Sequence, residues 1–260
     1  MDRSPQRRAP TRRDALLSLC ATGAVTGARA AEPGVTANEL LIGQSITLQG
    51  DRNEYGVAVS EGIQAALDQA NAAGGVQRRR VVLRTLDDDN TSTRAEDNAR
   101  RLVKDMNVFM LFGSIEGGPS TAVMKVALET QVPFFGPMAG SPGLRRPLQP
   151  LVFPVRAEHR EEFRALMIYG RERGKTTLAF LHSDSEVGRS HLENVRRLAT
   201  EVGMQSVEPV PIGSEVSDAQ VDAIVRRLTE TRPQMMFNHG SASVYERLIR
   251  KARLATLPIP

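Results

Sequence analysis

After its first thirty residues the chain alternates short runs of β-branched and aromatic residues with segments whose apolar positions recur at helical spacing. Strands separated by helices pair in parallel, and a parallel sheet requires apolar cover on both faces. In the first series the pattern predicts strands over 40–46, 81–86, 108–112 and 132–135, the last ended by Gly136 and Pro137. Helices are expected between them over 54–73, 93–104 and 120–129. The first of these carries Val59, Ile63, Ala66, Leu67 and Ala70 at helical spacing and stops at Gly74-Gly75. A second series predicts helices over 161–173, 190–202, 219–231 and 245–254 and strands over 177–181, 205–210 and 234–238.

Between the two series lies "SPGLRRPLQPLVFPVRAE", with prolines at 142, 147, 150 and 154. Such a stretch is no helix interior and suits a crossing between two lobes, hinged near residues 150–157. The expected organisation is a leader over 1–30, a first α/β lobe over 31–150, a crossing over 151–157 and a second α/β lobe over 158–260. In open parallel sheets ligands gather beyond the carboxyl ends of the strands, so the loops there are the candidate site.

A sequence pI near 9.6 would suit nucleic acid if the basicity were spread over the fold. It is not. The first thirty residues hold Arg3, Arg7, Arg8, Arg12, Arg13 and Arg29 against Asp2 and Asp14, and the remainder balances 28 basic against 28 acidic residues. A nucleic-acid partner is therefore not expected. Paired Arg12-Arg13, a moderately apolar segment and Ala28-Arg29-Ala30 read as a twin-arginine-like export signal cleaved near Ala30, although Ala15 stands where a large apolar residue is usual. A bare basic tail is the alternative. The export machinery would be a partner, the location periplasmic, and the mature chain free of cysteine, because Cys20 lies inside the leader.

The motif richest in chemistry is "LFGSIEGGPSTAV", in which an apolar run enters a glycine-rich loop that opens a helix. A phosphate-binding loop would follow Gly118 with lysine, whereas Pro119, Ser120 and Thr121 stand there, and proline in a first turn starts helices. No G-x-G-x-x-G fingerprint supports a dinucleotide. A helix N-terminus with Gly117 and Gly118 open to close approach suits a single carboxylate, and a plain tight turn is the alternative. The loops "QGDRNEYG", presenting Tyr55, and "GPMAGSPG", with Met138, Ala139, Gly140 and Ser141, fall at the same end of the sheet. Asp87-Asp88-Asp89-Asn90 could hold a hard cation by composition, yet one loop rarely supplies six oxygens, and helix capping explains the carboxylates as well. The four histidines lack zinc spacing, and there is no G-x-S-x-G elbow. No metal, cofactor or catalytic constellation is expected, and the chain reads as a binder. His159, at the crossing, is placed to reach a ligand.

Taken in order, "YGVAVSEGIQAALDQANAAGGV", the strand ending in "DDDN", "LFGSIEGGPSTAV", "VPFFGPMAGSPGLR", "VFPVRAEHREE" and "LHSDSEVGRSHLENVRR" resemble the type I periplasmic substrate-binding proteins of the leucine/isoleucine/valine-binding family. The resemblance runs from about residue 36 to the end. It implies two Rossmann-like α/β lobes with parallel sheets that close on an amino acid of branched-chain type or a similar small carboxylate and deliver it to ABC permease subunits. It implies that Gly117-Gly118 and Met138–Ser141 grip the ligand, with Ser120 nearby and Tyr55 beside its side-chain pocket. The second lobe would contribute near Glu186-Val187 and near Ser241. A threonine common in the second loop appears here as Gly140, and some members carry cysteines where this chain has Asn90 and Glu116. Glu116 would repel a carboxylate unless it turns away or takes a ligand ammonium. The family runs about a hundred residues further, so the resemblance implies an incomplete second lobe. A ligand-sensing regulatory module and a truncated non-functional homologue remain as alternative readings.

Overall fold

The computed structural model describes residues 32–50, 53–213, 216–239 and 242–255. The first sheet is built from β1 (Glu39–Ile46), β2 (Arg80–Asp87), β3 (Met110–Ser114), β4 (Phe134–Pro137) and β5 (Val152–Phe153). All its neighbours are parallel, in the order β2-β1-β3-β4-β5. Helices α1 (Glu54–Ala72), α2 (Ser92–Lys104) and α3 (Gly117–Thr130) connect the first four strands, and a 3-10 turn at Pro142–Leu144 precedes β5. The second sheet holds β6 (Thr177–Ser183), β7 (Ser206–Ile212) and β8 (Met235–His239), parallel in the order β7-β6-β8. Helices α4 (His159–Arg171), α5 (Glu186–Val202), α6 (Asp218–Thr231) and α7 (Ala242–Leu254) complete this second unit. The α/β class and the two parallel sheets agree with the sequence reading.

Side-chain alternation decides the packing. Along β6, Leu178 and Phe180 face α4 and α5, where they meet Phe163, Met167, Leu192 and Val195, while Ala179 and Leu181 face Val221, Leu228, Val244 and Leu248 of α6 and α7. Both faces of the second sheet are thus closed, and the strand reads as one continuous apolar run. In the first sheet, α2 and α3 cover one face with Ala95, Ala99, Leu102, Val123 and Val126 against Leu111, Phe134 and Val152. On the opposite face Ile63 of α1 lies near Gly113, and Phe112, Phe135 and Phe153 form a ladder with ring centroids 6.2 and 6.5 Å apart. Phe135 and Phe153 remain about half exposed. Of α1, only Gly56 is fully buried, so the apolar positions that define the helix in the sequence are less covered than their spacing implies.

Among the boundaries that differ from the sequence reading, three do so for clear local reasons. Gly136 and Pro137 belong to β4 instead of ending it, because Gly136 takes φ 80° and Pro137 pairs with Ser114. Helix α3 starts at Gly117, with Pro119 inside its first turn. The crossing contains a strand of two residues, β5, bracketed by Pro150 and Pro154 and too short to show a period.

Phe180 is fully buried and Phe135 is not. Phe180→Ala is expected to cost about 3–5 kcal/mol in chemical denaturation, and Phe135→Ala less than about 1 kcal/mol. Equal costs would contradict the assignment of core and open face.

Candidate functional site

Parallel pairing sets the carboxyl ends of β1, β3 and β4 side by side, so their following loops share one edge. Asn53 caps α1, its Oδ1 accepting the Tyr55 N–H at 3.1 Å. Its Nδ2 donates to Glu116 Oε1 at 2.8 Å. Glu116 therefore bonds across to the loop after β1, and its side chain does not cap α3. The first turn of α3 leaves the N–H groups of Gly117 and Gly118 outside the helical ladder, and Pro119 has none. Close approach is built in here: a Cβ at Gly117 would lie 2.5 Å from Ser141 Oγ, and one at Gly118 2.7 Å from Ser92 Oγ.

The acidic run that ends β2 and begins the loop after it ties this edge together. Asp88, buried, accepts from Thr47 Oγ1 at 2.8 Å and the Asn90 N–H at 3.0 Å, while Asp87 accepts from Gln49 Nε2 at 2.8 Å and the Leu48 N–H at 3.2 Å. Burial pushes the Asp88 carboxyl above its ordinary range. Thr91, and neither aspartate, caps α2. Among the described residues no cluster of histidine and carboxylate side chains is arranged to hold a metal ion.

Arg145 joins the loop after β4 to the crossing. Its Nη1 donates to the carbonyls of Ala139 and Ser141 at 3.0 and 3.1 Å, and its Nη2 to the carbonyl of Arg156. Arg156 in turn holds Glu162 side-on, Nε to Oε1 at 2.7 Å and Nη2 to Oε2 at 3.0 Å. The hydrogen bond to Glu162 holds the Arg156 guanidinium above its ordinary range, and the charge of Glu116 adds to this. His159 opens α4, donates its N–H to the Gly140 carbonyl at 3.1 Å and places Nδ1 3.3 Å from Glu162 Oε2. A Cβ on Gly140 would collide with the His159 ring, so glycine at 140 is what admits that imidazole. Behind it stand His191 of α5 and His239 of β8.

The residues expected at the site sort clearly. Gly117, Ser141, Gly140 and His159 come together where loops and crossing meet. Tyr55 is 62 % exposed in the first turn of α1, Met138 is exposed beside the same loop, and Ala139 is buried with its carbonyl on Arg145. Ser120 departs from expectation: it is fully buried and its hydroxyl donates to Ser114 Oγ at 2.9 Å, below the loop. The Thr121 hydroxyl likewise turns back to the Gly117 carbonyl. Glu186 and Val187 are exposed at the start of α5, which Ser185 caps. Ser241 and the leader lie outside the described residues.

Arg145, Arg156, Glu162, His191 and His239 were not anticipated. For the histidines the signal was positional: His182 and His239 lie within the last two residues of strands, while His159 and His191 lie in the opening turns of helices. A surface groove lined by Arg164, Ile168, Arg171, Glu201 and Val202 lies toward the other ends of α4 and α5.

A family model described as a periplasmic binding protein matches residues 39–257. The Leu/Ile/Val-binding protein homolog 7 of Brucella abortus is 30% identical over 121 residues, a stretch covering 46% of this chain and 29% of that protein. The LivJ branched-chain amino acid binding protein of Streptococcus pneumoniae, solved with isoleucine, superposes with a TM-score of 0.71 at 20% identity, over 86% of this chain and 63% of that one. A solute binding protein of an ABC transporter from Rhodopseudomonas palustris, solved with 3,4-dihydroxybenzoic acid, gives 0.69 at 17% identity, over 85% and 60%. The chain thus spans less than two thirds of the length of these proteins.

Arg145→Ala removes three charge-assisted hydrogen bonds and is expected to lower stability by roughly 2–4 kcal/mol in urea denaturation. Gly140→Ala should cost about 1–3 kcal/mol, since the His159 ring cannot retreat through His191 and His239. Losses below about 0.5 kcal/mol in both would show that the crossing is not anchored there.

Proposed function

The chain belongs to the periplasmic binding protein family, and from that premise we propose that it is an extracytoplasmic solute-binding protein of an ABC importer. It captures an amino acid or similar small carboxylate by closure of two lobes, over 31–150 and 158–260, about the crossing at 151–157. It makes and breaks no bond. The observation that carries the reading is the convergence at one mouth of the Gly117 turn, the Met138–Ser141 loop and the crossing residues Arg156 and His159.

The carboxylate is the expected anchor, received by the free N–H groups of Gly117 and Gly118 and by Ser141 Oγ. A helix N-terminus favours negative charge there by about 0.3–1 kcal/mol when exposed, and more when partly buried. Isoleucine and 3,4-dihydroxybenzoic acid, bound by the two neighbouring structures, share a carboxylate and differ in the ammonium. Glu116 is the group that would tell them apart. With Oε1 held by Asn53, its second oxygen is open to a cation. Tyr55 and Met138 supply exposed apolar surface on the first lobe, and the exposed Val187 of α5 would add to it from the second. Closure is driven by the differential affinity of the ligand for the closed arrangement, because only there do both lobes touch it.

The test is a thermal-shift screen of the purified protein against amino acids, aliphatic carboxylates and aromatic carboxylates, followed by calorimetry. A true ligand at a hundredfold excess over its Kd should stabilise by about 2.7 kcal/mol. Ser141→Ala should weaken it roughly three- to tenfold. Glu116→Gln should weaken a ligand carrying an ammonium group by more than about tenfold and leave its deaminated analogue as tight or tighter. No shift with any member of the three classes would overturn the proposal.

A further inference from the structure

All four histidines of the chain fall in one layer. On the face of the second sheet that α4 and α5 cover, His182 continues the Leu178, Phe180 series of β6, and His239 continues the Met235, Phe237 series of β8. His182 and His239 are register partners. Beneath them Phe163 packs against Phe180 and Phe237 at 5.4 and 6.2 Å between ring centroids. Above, His159 approaches His191 at 5.5 Å and His239 at 4.9 Å, and His191 lies 4.3 Å from His239.

Such a stack suits a neutral His191 and a neutral His239. A proton on one ring would face the other two and Arg156, whose charge also bears on His239. The compensating carboxylate in reach is Glu162, and both its oxygens are already engaged by Arg156, one of them also by His159. His182, the charge-capable group contributed by β6, is buried with Nε2 unpartnered and Nδ1 3.0 Å from the Ser183 carbonyl. The layer also sits on the joint between the lobes, because His159 bonds the Gly140 carbonyl and its ring fills the space above the Gly140 Cα.

We propose that this histidine layer is a proton-sensitive latch on the interlobe crossing. With His191 and His239 neutral, His159 stays wedged between Gly140 and that second-lobe pair; a proton on either member of the pair repels its neighbours, loosens the wedge and frees the crossing to open. Burial, then the neighbouring imidazoles His191 and His159, lower His239 from 6.5 to about 4, and burial and His159 lower His191 in the same direction. A released ring in water regains its ordinary value, so the released state binds protons more readily than the latched one. The latch is therefore fully engaged above pH ~6.5, weakens as pH falls toward about 4, and loses nothing more below that through His239. At pH 5 the shift of His239 alone favours release by at most about 30-fold relative to pH 7.5, the limit reached when release exposes the ring fully to water.

The proposal rests on reading the crossing as a hinge, and its test uses no ligand, so failure to find a solute and absence of a latch give different results. Hydrogen exchange of the full chain is measured at pH 7.5 and 5.0, with rates corrected for intrinsic exchange. The His159 N–H and its neighbours in the first turn of α4 should lose protection by up to about 30-fold at the lower pH, while Leu178–Leu181 in β6 hold theirs. In His239→Phe and, separately, His191→Phe, which keep a ring and remove its proton site, that loss should shrink severalfold. Unchanged protection of the crossing, parallel loss in β6, or an undiminished loss in both variants would overturn the latch. Should neither variant fold, the wild-type protein decides: the His159 N–H and the His239 ring are followed together by NMR from pH 7.5 to 4, and loss of N–H protection that tracks protonation of the ring supports the proposal, whereas protection unchanged through that protonation overturns it.

Discussion

The arrangement at the mouth depends on one guanidinium. Arg145 donates to the carbonyls of Ala139, Ser141 and Arg156, and so fixes the loop after β4 against the chain that leaves the first sheet. Partial desolvation lowers its pKa without approaching a range where it would lose its proton, so the tie is a permanent cation. Backbone carbonyls at a loop have no ladder to join, and a rigid fork of donors satisfies three at once. From that tie the rest follows in order: Ser141 is held above Gly117, Gly140 presents its bare Cα to His159, and Arg156 is aimed between Glu162 and the Glu116 side of the mouth.

The sheets supply the frame in which such a tie is useful. Parallel pairing from Ile46 and Asp87 through Ser114 to Pro137 brings the loop starts to one level, and the buried Asp88 secures the loop after β1 through Thr47. Charge is managed locally: Glu116 on Asn53, Glu158 on Arg146 and Glu162 on Arg156. A carboxylate ligand would thus meet backbone N–H groups and a hydroxyl at the Gly117 turn, with the nearest acid held to one side.

Much of the frame was legible because period and composition agree. Leu178 to Leu181 is apolar at every position, as a strand covered on both faces must be, and the helix expected over 219–231 appears as α6, started by a capping box of Ser217 and Gln220 that the helical period did not reveal. The strand at Val152–Phe153 was not legible, because two residues between prolines carry no period. Gly136 and Pro137 read as breakers, yet the register with Ser114 keeps them in β4. At the site, glycine and serine positions could be read from the loops. Side-chain direction could not: Ser120 follows the glycines in sequence and points into the core, while Arg156 and Glu162, six apart and on no common helical face, meet only because α4 begins between them. The histidines show the same limit, since spacings of 23, 9 and 48 residues form no motif until strands and helices stack their ends.

The central claim is that the crossing is a hinge and that solute binding closes the two lobes about it. Small-angle X-ray scattering of the protein, with and without a saturating solute that calorimetry shows to bind, tests this directly. Closure predicts a smaller radius of gyration and a shorter maximum dimension in the bound state. Superimposable scattering curves for free and fully bound protein would contradict it.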